Sequence, residues 1–391
     1  MKFHKILLAL CCLQVSAFAE NDEMDIIAYW GVPTAQTSEA NFKTFSDCGF
    51  TVSIYPYNSL QSLLHACRTA HRCGVKVLGQ CPEMFDNPEA TAITLKQEPG
   101  FFGYYLQDEP TISEIPQLKR TAKRLYATDT IHPLYVNLLP YHGAHYGTEA
   151  VRKVPAYQKY LAAATAIGCQ QISFDHYPVM KNGLRPTWYH NLEMVRSESL
   201  ASGRPFWGFV LSVPHDDYPQ PTLATLRLQA YSNLAYGAQA IQYFTYWTPD
   251  NTHHDFHDAP ISANGKMTKT YALVKRMNQE LKTVSRLFYG ARVTSVNHLG
   301  TVAQGTRRLA DMPTNIEKIS VSGHKGAVVS QFQKNGHSYL AIINKNHLSS
   351  IRFYITPRNE IPCHLTKELK EEDLKTSYQI AAGDILLFRL Q

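Results

Sequence analysis

Eight short apolar runs, each followed by a helical or loop segment, constrain this chain more than any other feature. The runs are 26–30, 51–55, 75–80, 103–107, 133–137, 171–174, 206–211 and 240–246. Several of the segments between them carry apolar residues on one helical face: Leu60, Leu63, Leu64 and Cys67 before Gly74; Ile115, Leu118, Ala122 and Leu125; Leu223, Leu226, Ala230 and Leu234 before Gly237. Asn58 and Ser113 read as caps for the first two, and Tyr271, Val274, Met277, Leu281 and Val284 form a last stripe. Strand–helix alternation over about 260 residues predicts a parallel (β/α)8 TIM barrel in an α/β fold. The structural alternative is an open doubly wound sheet. No GxGxxG turn follows the first run to support a nucleotide-binding version of it.

Two other regions differ in texture. After Gly290, strand-like runs recur at 292–297, 319–322, 327–332, 338–344, 351–355 and 384–390, with hairpin turns at 323–326 and at Asn335-Gly336. Residues 290–391 are therefore expected to form a small antiparallel β-sandwich domain behind a barrel at 20–289. At the other end, Lys2 and Lys5 precede an apolar stretch at 6–15, and Ala17-Phe18-Ala19 follows. This is the pattern of a signal peptide at 1–19. It is too short to span a bilayer, and Leu10 stands where a lipoprotein signal carries a small residue before Cys11. The expectation is export to the periplasm or the extracellular space, with no transmembrane segment.

The formal charge of +6 falls by two when Lys2 and Lys5 are removed, and the basic residues are scattered, which argues against nucleic acid as a partner. Cys48, Cys67, Cys73, Cys81, Cys169 and Cys363 have no CxxC spacing and read as buried thiols. No P-loop or GxSxG elbow occurs, and no cofactor is expected. His253, His254, Asp255, His257 and Asp258 are metal-ligand types, but they lack HExxH spacing and read as a solvated, substrate-lining loop rather than a metal site.

The chemistry is expected at Phe101-Phe-Gly-Tyr-Tyr-Leu-Gln-Asp-Glu-Pro110, an apolar strand whose tip presents Asp108 and Glu109. Pro110 disfavours helical geometry at Glu109 and predicts an extended tip. A barrel gathers its strand ends at one rim. The other tips offer Tyr29 and Trp30, Tyr55, Gln80, Asn137, Asp175, His176 and Tyr177, His215, and Tyr246 and Trp247. Aromatic faces suit the C–H faces of sugars, while carboxylates and amides suit hydroxyls, so these residues are the candidate carbohydrate-binding set.

The Asp-Glu-Pro tip on the fourth strand, Ile172-Ser-Phe-Asp-His-Tyr-Pro178 and the run Leu226 to Pro249 resemble exported, Bacteroidetes-type relatives of the clan-A glycoside hydrolases, specifically the family 42 β-galactosidase barrel. The resemblance implies a glycoside hydrolase acting on oligosaccharides or glycan side chains, with Glu109 as acid/base and Asp108 where the family has a sugar-contacting Asn. It also implies a nucleophilic Glu at the end of the seventh strand, but this strand reads Gly208-Phe-Val-Leu-Ser-Val-Pro-His215. Three arrangements remain open. Asp175 is the second carboxylate, with a spacing of about 6.5–9.5 Å favouring inversion over the roughly 5–5.5 Å of retention. Alternatively, Asp108 and Glu109 act as the adjacent pair of a substrate-assisted N-acetylhexosaminidase, with Tyr177 helping to position the substrate. Or Asp216 or Asp217 folds into the cleft. The competing class is a catalytically silent carbohydrate-binding barrel.

Overall fold

The computed structural model describes residues 23–142, 152–250, 252–324 and 326–391; the expected signal peptide lies outside the described residues. Eight parallel strands close into a barrel: β1 (Ile26–Tyr29), β2 (Val52–Pro56), β3 (Lys76–Gln80), β4 (Phe101–Asp108), β5 (Leu134–Leu138), β6 (Ile172–Phe174), β7 (Phe206–Leu211) and β8 (Ala240–Phe244). Each pairs with its sequence neighbour, and β1 pairs with β8. The helix after β2 begins at Leu60 with Ser59, not Asn58, as its cap, and the helix after β4 begins at Ile115 rather than behind Ser113.

Period-two alternation fills the barrel. Ile27, Val52, Ile54, Leu78, Tyr105, Tyr135, Trp207, Phe209 and Leu211 form one interior cluster. One step further toward the C-terminal mouth the inward positions turn polar on β4, β5 and β6, giving Asp108, Asn137 and Asp175. On β7 they stay apolar, with Leu211 and then Val213 buried. No carboxylate projects from β7.

The last barrel helix, Lys269–Phe288, leads into an antiparallel β-sandwich. Its larger sheet runs β9 (Arg292–His298), β11 (Ala327–Lys334), β12 (His337–Asn344), β17 (Ile385–Arg389), β14 (Cys363–Leu365) and β15 (Glu371–Glu372). The smaller runs β10 (Ile316–Val321), β13 (Ile351–Pro357) and β16 (Ser377–Ile380). The short strands β14, β15 and β16 were not anticipated, because none shows an apolar alternation long enough to read. Val329, Leu340, Ile342, Phe353 and Phe388 fill the space between the sheets. On the opposite face of the larger sheet, Val328, Phe332, Ala341 and Ile343 join the apolar cluster of the barrel's outer layer.

The Leu223–Tyr236 helix carries this junction. It packs on β7 on one side and on β9, β11 and β12 on the other, so it is buried almost all round. Ser330 donates to the Ala235 carbonyl at 2.7 Å, and the Tyr236 hydroxyl lies 2.9 Å from His298 Nε2. Gly383 passes so close that a Cβ there would sit 2.1 Å from the Ala224 carbonyl oxygen, which only glycine allows. An ion cluster closes one edge. Arg227 holds Glu280 (2.9 Å) and Asp384 (3.1 Å), while Lys367 reaches both acids at 3.0 and 2.9 Å.

Candidate active site

Strand parity would place Asp108 and Glu109 on opposite faces. The chain avoids this in two steps. A bulge between Tyr105 and Gln107 shifts the register of β4 against β5, so that Tyr105 and Asp108 both face inward. The Leu106 carbonyl, displaced from regular pairing, accepts instead from Gln80 Nε2 at 2.8 Å. Glu109 then takes a left-handed backbone, φ +44°, rather than the extended tip expected before proline. Pro110 disfavours the right-handed helical region, and the left-handed backbone turns Glu109 back toward β6. A non-glycine residue held there is a local strain of the kind found at functional sites.

Asn137 is the centre of the cluster. Its Nδ2 donates to Asp108 Oδ1 at 3.0 Å and to Asp175 Oδ1 at 2.9 Å. Its Oδ1 faces the Ser173 hydroxyl at 3.1 Å. Below it, Tyr135 donates to Gln242 at 2.8 Å and Gln242 donates to Ser173 at 2.8 Å, so a buried polar chain inside the barrel supports the amide. Tyr29 and Tyr105 join hydroxyls at 2.6 Å, and Tyr29 also approaches Asp108. Tyr177 approaches Asp175 from the other side.

Glu109 and Asp175 are within hydrogen-bonding reach of each other. Solvent reaches Asp108 and Glu109 through the open mouth, while protein crowds the carboxyls from below and the sides. That crowding, then the negative charge of Asp108, lifts Glu109 to about 7, against the Asp175 hydrogen bond that favours its ionised form. Burial, then the charges of Glu109 and Asp108, push Asp175 well above the usual carboxylate range. Asp108 is also raised, mainly by burial, with Asn137 and Tyr29 opposing. The Glu109–Asp175 pair therefore retains a proton at neutral pH.

Above the cluster lies a cleft of about 300 Å³ lined by Tyr29, Trp30, Asp108, Phe244, His254 and Phe256, among others. Trp30, also left-handed at φ +53°, packs against Tyr55 with ring centroids 5.1 Å apart at its edge.

Several expected rim residues are not in it. Tyr246 is buried outside the barrel wall against Phe45 and Phe50, and Trp247 is buried with its indole toward the Ala263 carbonyl. β8 ends at Phe244 and the chain turns outward, so the last inward aromatic is Phe244. Gln80 is committed to Leu106 and lines a separate crevice with Phe85 and Gln107. His176 points behind β6, where its Nδ1 lies 2.8 Å from Asn191 Oδ1, and burial holds it neutral. His215 is buried between Tyr218 and Phe256. Asp216 does not reach the carboxyl cluster; it pairs with His254 Nδ1 at 2.5 Å. Asp217 is exposed, and its backbone carbonyl accepts from the Lys181 amide. Tyr105 and Phe244 were missed, although period-two alternation on β4 and β8 marks both as inward. The His253–Asp258 segment is a cleft-lining loop, and no group of three metal-ligand side chains occurs among the described residues. Burial pushes the Cys81 thiol up to about 12, which removes it as a nucleophile.

Residues 149–284 match the family model for the family 42 glycoside hydrolases, described as β-galactosidase. The chain resembles the family 42 glycoside hydrolases. The match spans β6 to the last barrel helix, so it includes Asp175 and the vacant β7 position but not Asp108 or Glu109. Over nearly the whole fold the barrel and sandwich superpose on a β-galactosidase from Bacillus circulans sp. alkalophilus (TM-score 0.60, 10% identity, 94% of this chain and 99% of that one). They also superpose on a catalytic mutant of a GH42 β-galactosidase from G. stearothermophilus (TM-score 0.61, 8% identity, 95% and 98%). At these identities the likeness is one of fold. No curated protein matches the sequence.

Proposed function

We propose that this protein is an exported glycoside hydrolase that cleaves oligosaccharides or glycan side chains, with Glu109 as general acid and Asp175 as the partner that shares its proton. The observation that carries the reading is the pair itself: two carboxyls in hydrogen-bonding reach at the C-terminal mouth of the barrel, with Glu109 at about 7. General-acid catalysis of glycoside cleavage needs a carboxylic acid that is still protonated near neutral pH. The family 42 match supports the reaction class, and the N-terminal pattern of residues 1–19 supports export.

A second reading rests on one observation. Asp108 and Glu109 are adjacent yet converge on one cluster, the layout a substrate-assisted N-acetylhexosaminidase uses. Hydrolysis of aryl galactosides, glucosides, fucosides and N-acetylhexosaminides by the mature protein and by Glu109→Gln tests both. Activity on one sugar that is lost in the variant supports Glu109, and an N-acetylhexosaminide as that sugar moves the assignment to the adjacent pair. Activity unchanged in Glu109→Gln removes Glu109 as the acid. Sugar binding without turnover of any panel member favours the silent carbohydrate-binding barrel.

A further inference from the structure

On β4, β5 and β6 the carboxyls are already committed: Glu109 and Asp175 share a proton, and Asp108 is held by Asn137 and Tyr29. Burial raises all three, with charge repulsion adding at Glu109 and Asp175. β7, where the related hydrolases are expected to carry a carboxylate, presents Leu211 and Val213. The loops leaving β7 and β8 instead bring together Asp216 and His254. In the strand order of the closed barrel, β8 lies opposite β4, and His254 lines the same cleft as Asp108.

The pair is a built arrangement. His254 Nδ1 lies 2.5 Å from Asp216 Oδ2. Asp216 is held in a left-handed conformation, φ +44°. Its amide donates to the Asp255 carboxylate and its carbonyl accepts from Lys181, so three loops fix it. The His254 ring packs on Phe256 with centroids 5.2 Å apart. In the neutral ring, a carboxylate on Nδ1 fixes the tautomer: Nδ1 carries the proton and Nε2 keeps its lone pair.

We propose that His254 is the general base of this active site, oriented by Asp216 as a positioning residue, and that it activates water for a single inverting displacement. This rests on the glycosidase reading with Glu109 as acid. In the step, water gives one proton to His254 Nε2 while its oxygen bonds to the anomeric carbon. The bond from that carbon to the leaving oxygen breaks with its electron pair, and that oxygen takes the proton carried by Glu109. The product sugar then has the opposite anomeric configuration to the substrate.

The test combines product stereochemistry, kinetics and tautomer. With the aryl glycoside that the wild type cleaves, proton NMR of the first product should show inversion. His254→Ala should lower kcat by about 10²–10⁴-fold with little change in KM, and Asp216→Asn by about 10–100-fold. Asn tolerates the left-handed backbone, so the second variant keeps the loop. Long-range ¹H–¹⁵N spectra of histidine-labelled protein, assigned by difference with His254→Gln, should show the Nδ1-protonated tautomer, lost in Asp216→Asn. Retention of configuration, or full activity in His254→Ala while Glu109→Gln is inactive, overturns His254 alone and leaves the Glu109 reading standing. Activity indifferent to both substitutions overturns both. An Nε2-protonated His254 overturns the base assignment whatever the substrate.

Discussion

The Ser173 hydroxyl meets the Asn137 side-chain oxygen at 3.1 Å, on the opposite end of the amide from the two carboxylates. With Oδ1 on a hydroxyl, Nδ2 is left for Asp108 and Asp175. Asn137→Ala removes a donor that favours the ionised form of both acids. Their proton affinity should rise, and the basic limb of the activity–pH profile should move to higher pH. A loss of about 10–100-fold in kcat/KM is expected, with Ser173→Ala giving a smaller loss in the same direction. A basic limb that stays in place in Asn137→Ala would remove Asn137 from control of the cluster.

The proton on the Glu109–Asp175 pair sets the wild-type pH dependence. Glu109 sits at about 7, so the acid form is present below that value and drains away above it. Activity on a neutral glycoside should fall as pH rises through about 7. Initial rates across pH 5 to 9 check this.

Aromatic residues inside and outside the barrel wall should separate cleanly. Trp30 lines the cleft, so Trp30→Ala should raise KM by about 10-fold, the loss of roughly one aromatic contact. Tyr246 is packed behind the wall on Phe45 and Phe50. Tyr246→Phe should leave kcat and KM within about twofold, within the scatter of remote substitutions. Steady-state kinetics of the two variants decide the matter.

The ion cluster between barrel and sandwich predicts an acid-sensitive stability. Burial works against a charged Glu280, but Arg227 and Lys367 outweigh it and hold the carboxyl down at about 2. The unfolded chain would titrate near ~4.3. Stability from this group is therefore present above that value and lost as pH falls toward 2. Solvent screening discounts it to roughly 1–3 kcal/mol. Glu280→Gln at pH 7 should cost about 2–4 kcal/mol by leaving Arg227 and Lys367 sharing Asp384. Thermal melts at pH 7 and pH 3 should show the gap between wild type and variant narrowing at the lower pH.

The barrel was legible because eight apolar runs alternate with helical segments, and no GxGxxG turn follows the first run to favour an open doubly wound sheet. Asn137 and Asp175 were legible for the same reason: each lies two residues beyond an inward position, Tyr135 and Ser173. The contact between Glu109 and Asp175 was not. It depends on a bulge and on one left-handed residue, and neither leaves a signature when the residue is a glutamate rather than a glycine. Tyr246 and Trp247 were misplaced because parity continues on paper past Phe244, whereas the strand does not. The Asp216–His254 pair joins residues 38 positions apart, and nothing local in either loop announces the other.

The Leu223–Tyr236 helix bears on how this chain can be taken apart. A helix wetted on one side marks the skin of a barrel; this one is buried almost all round, so the skin there is the sandwich. The change of sequence texture near residue 290 is thus a seam in composition and not in cohesion. Cutting the gene there would yield a barrel with one raw flank, and transplanting the barrel into another architecture would require a new cover to travel with it.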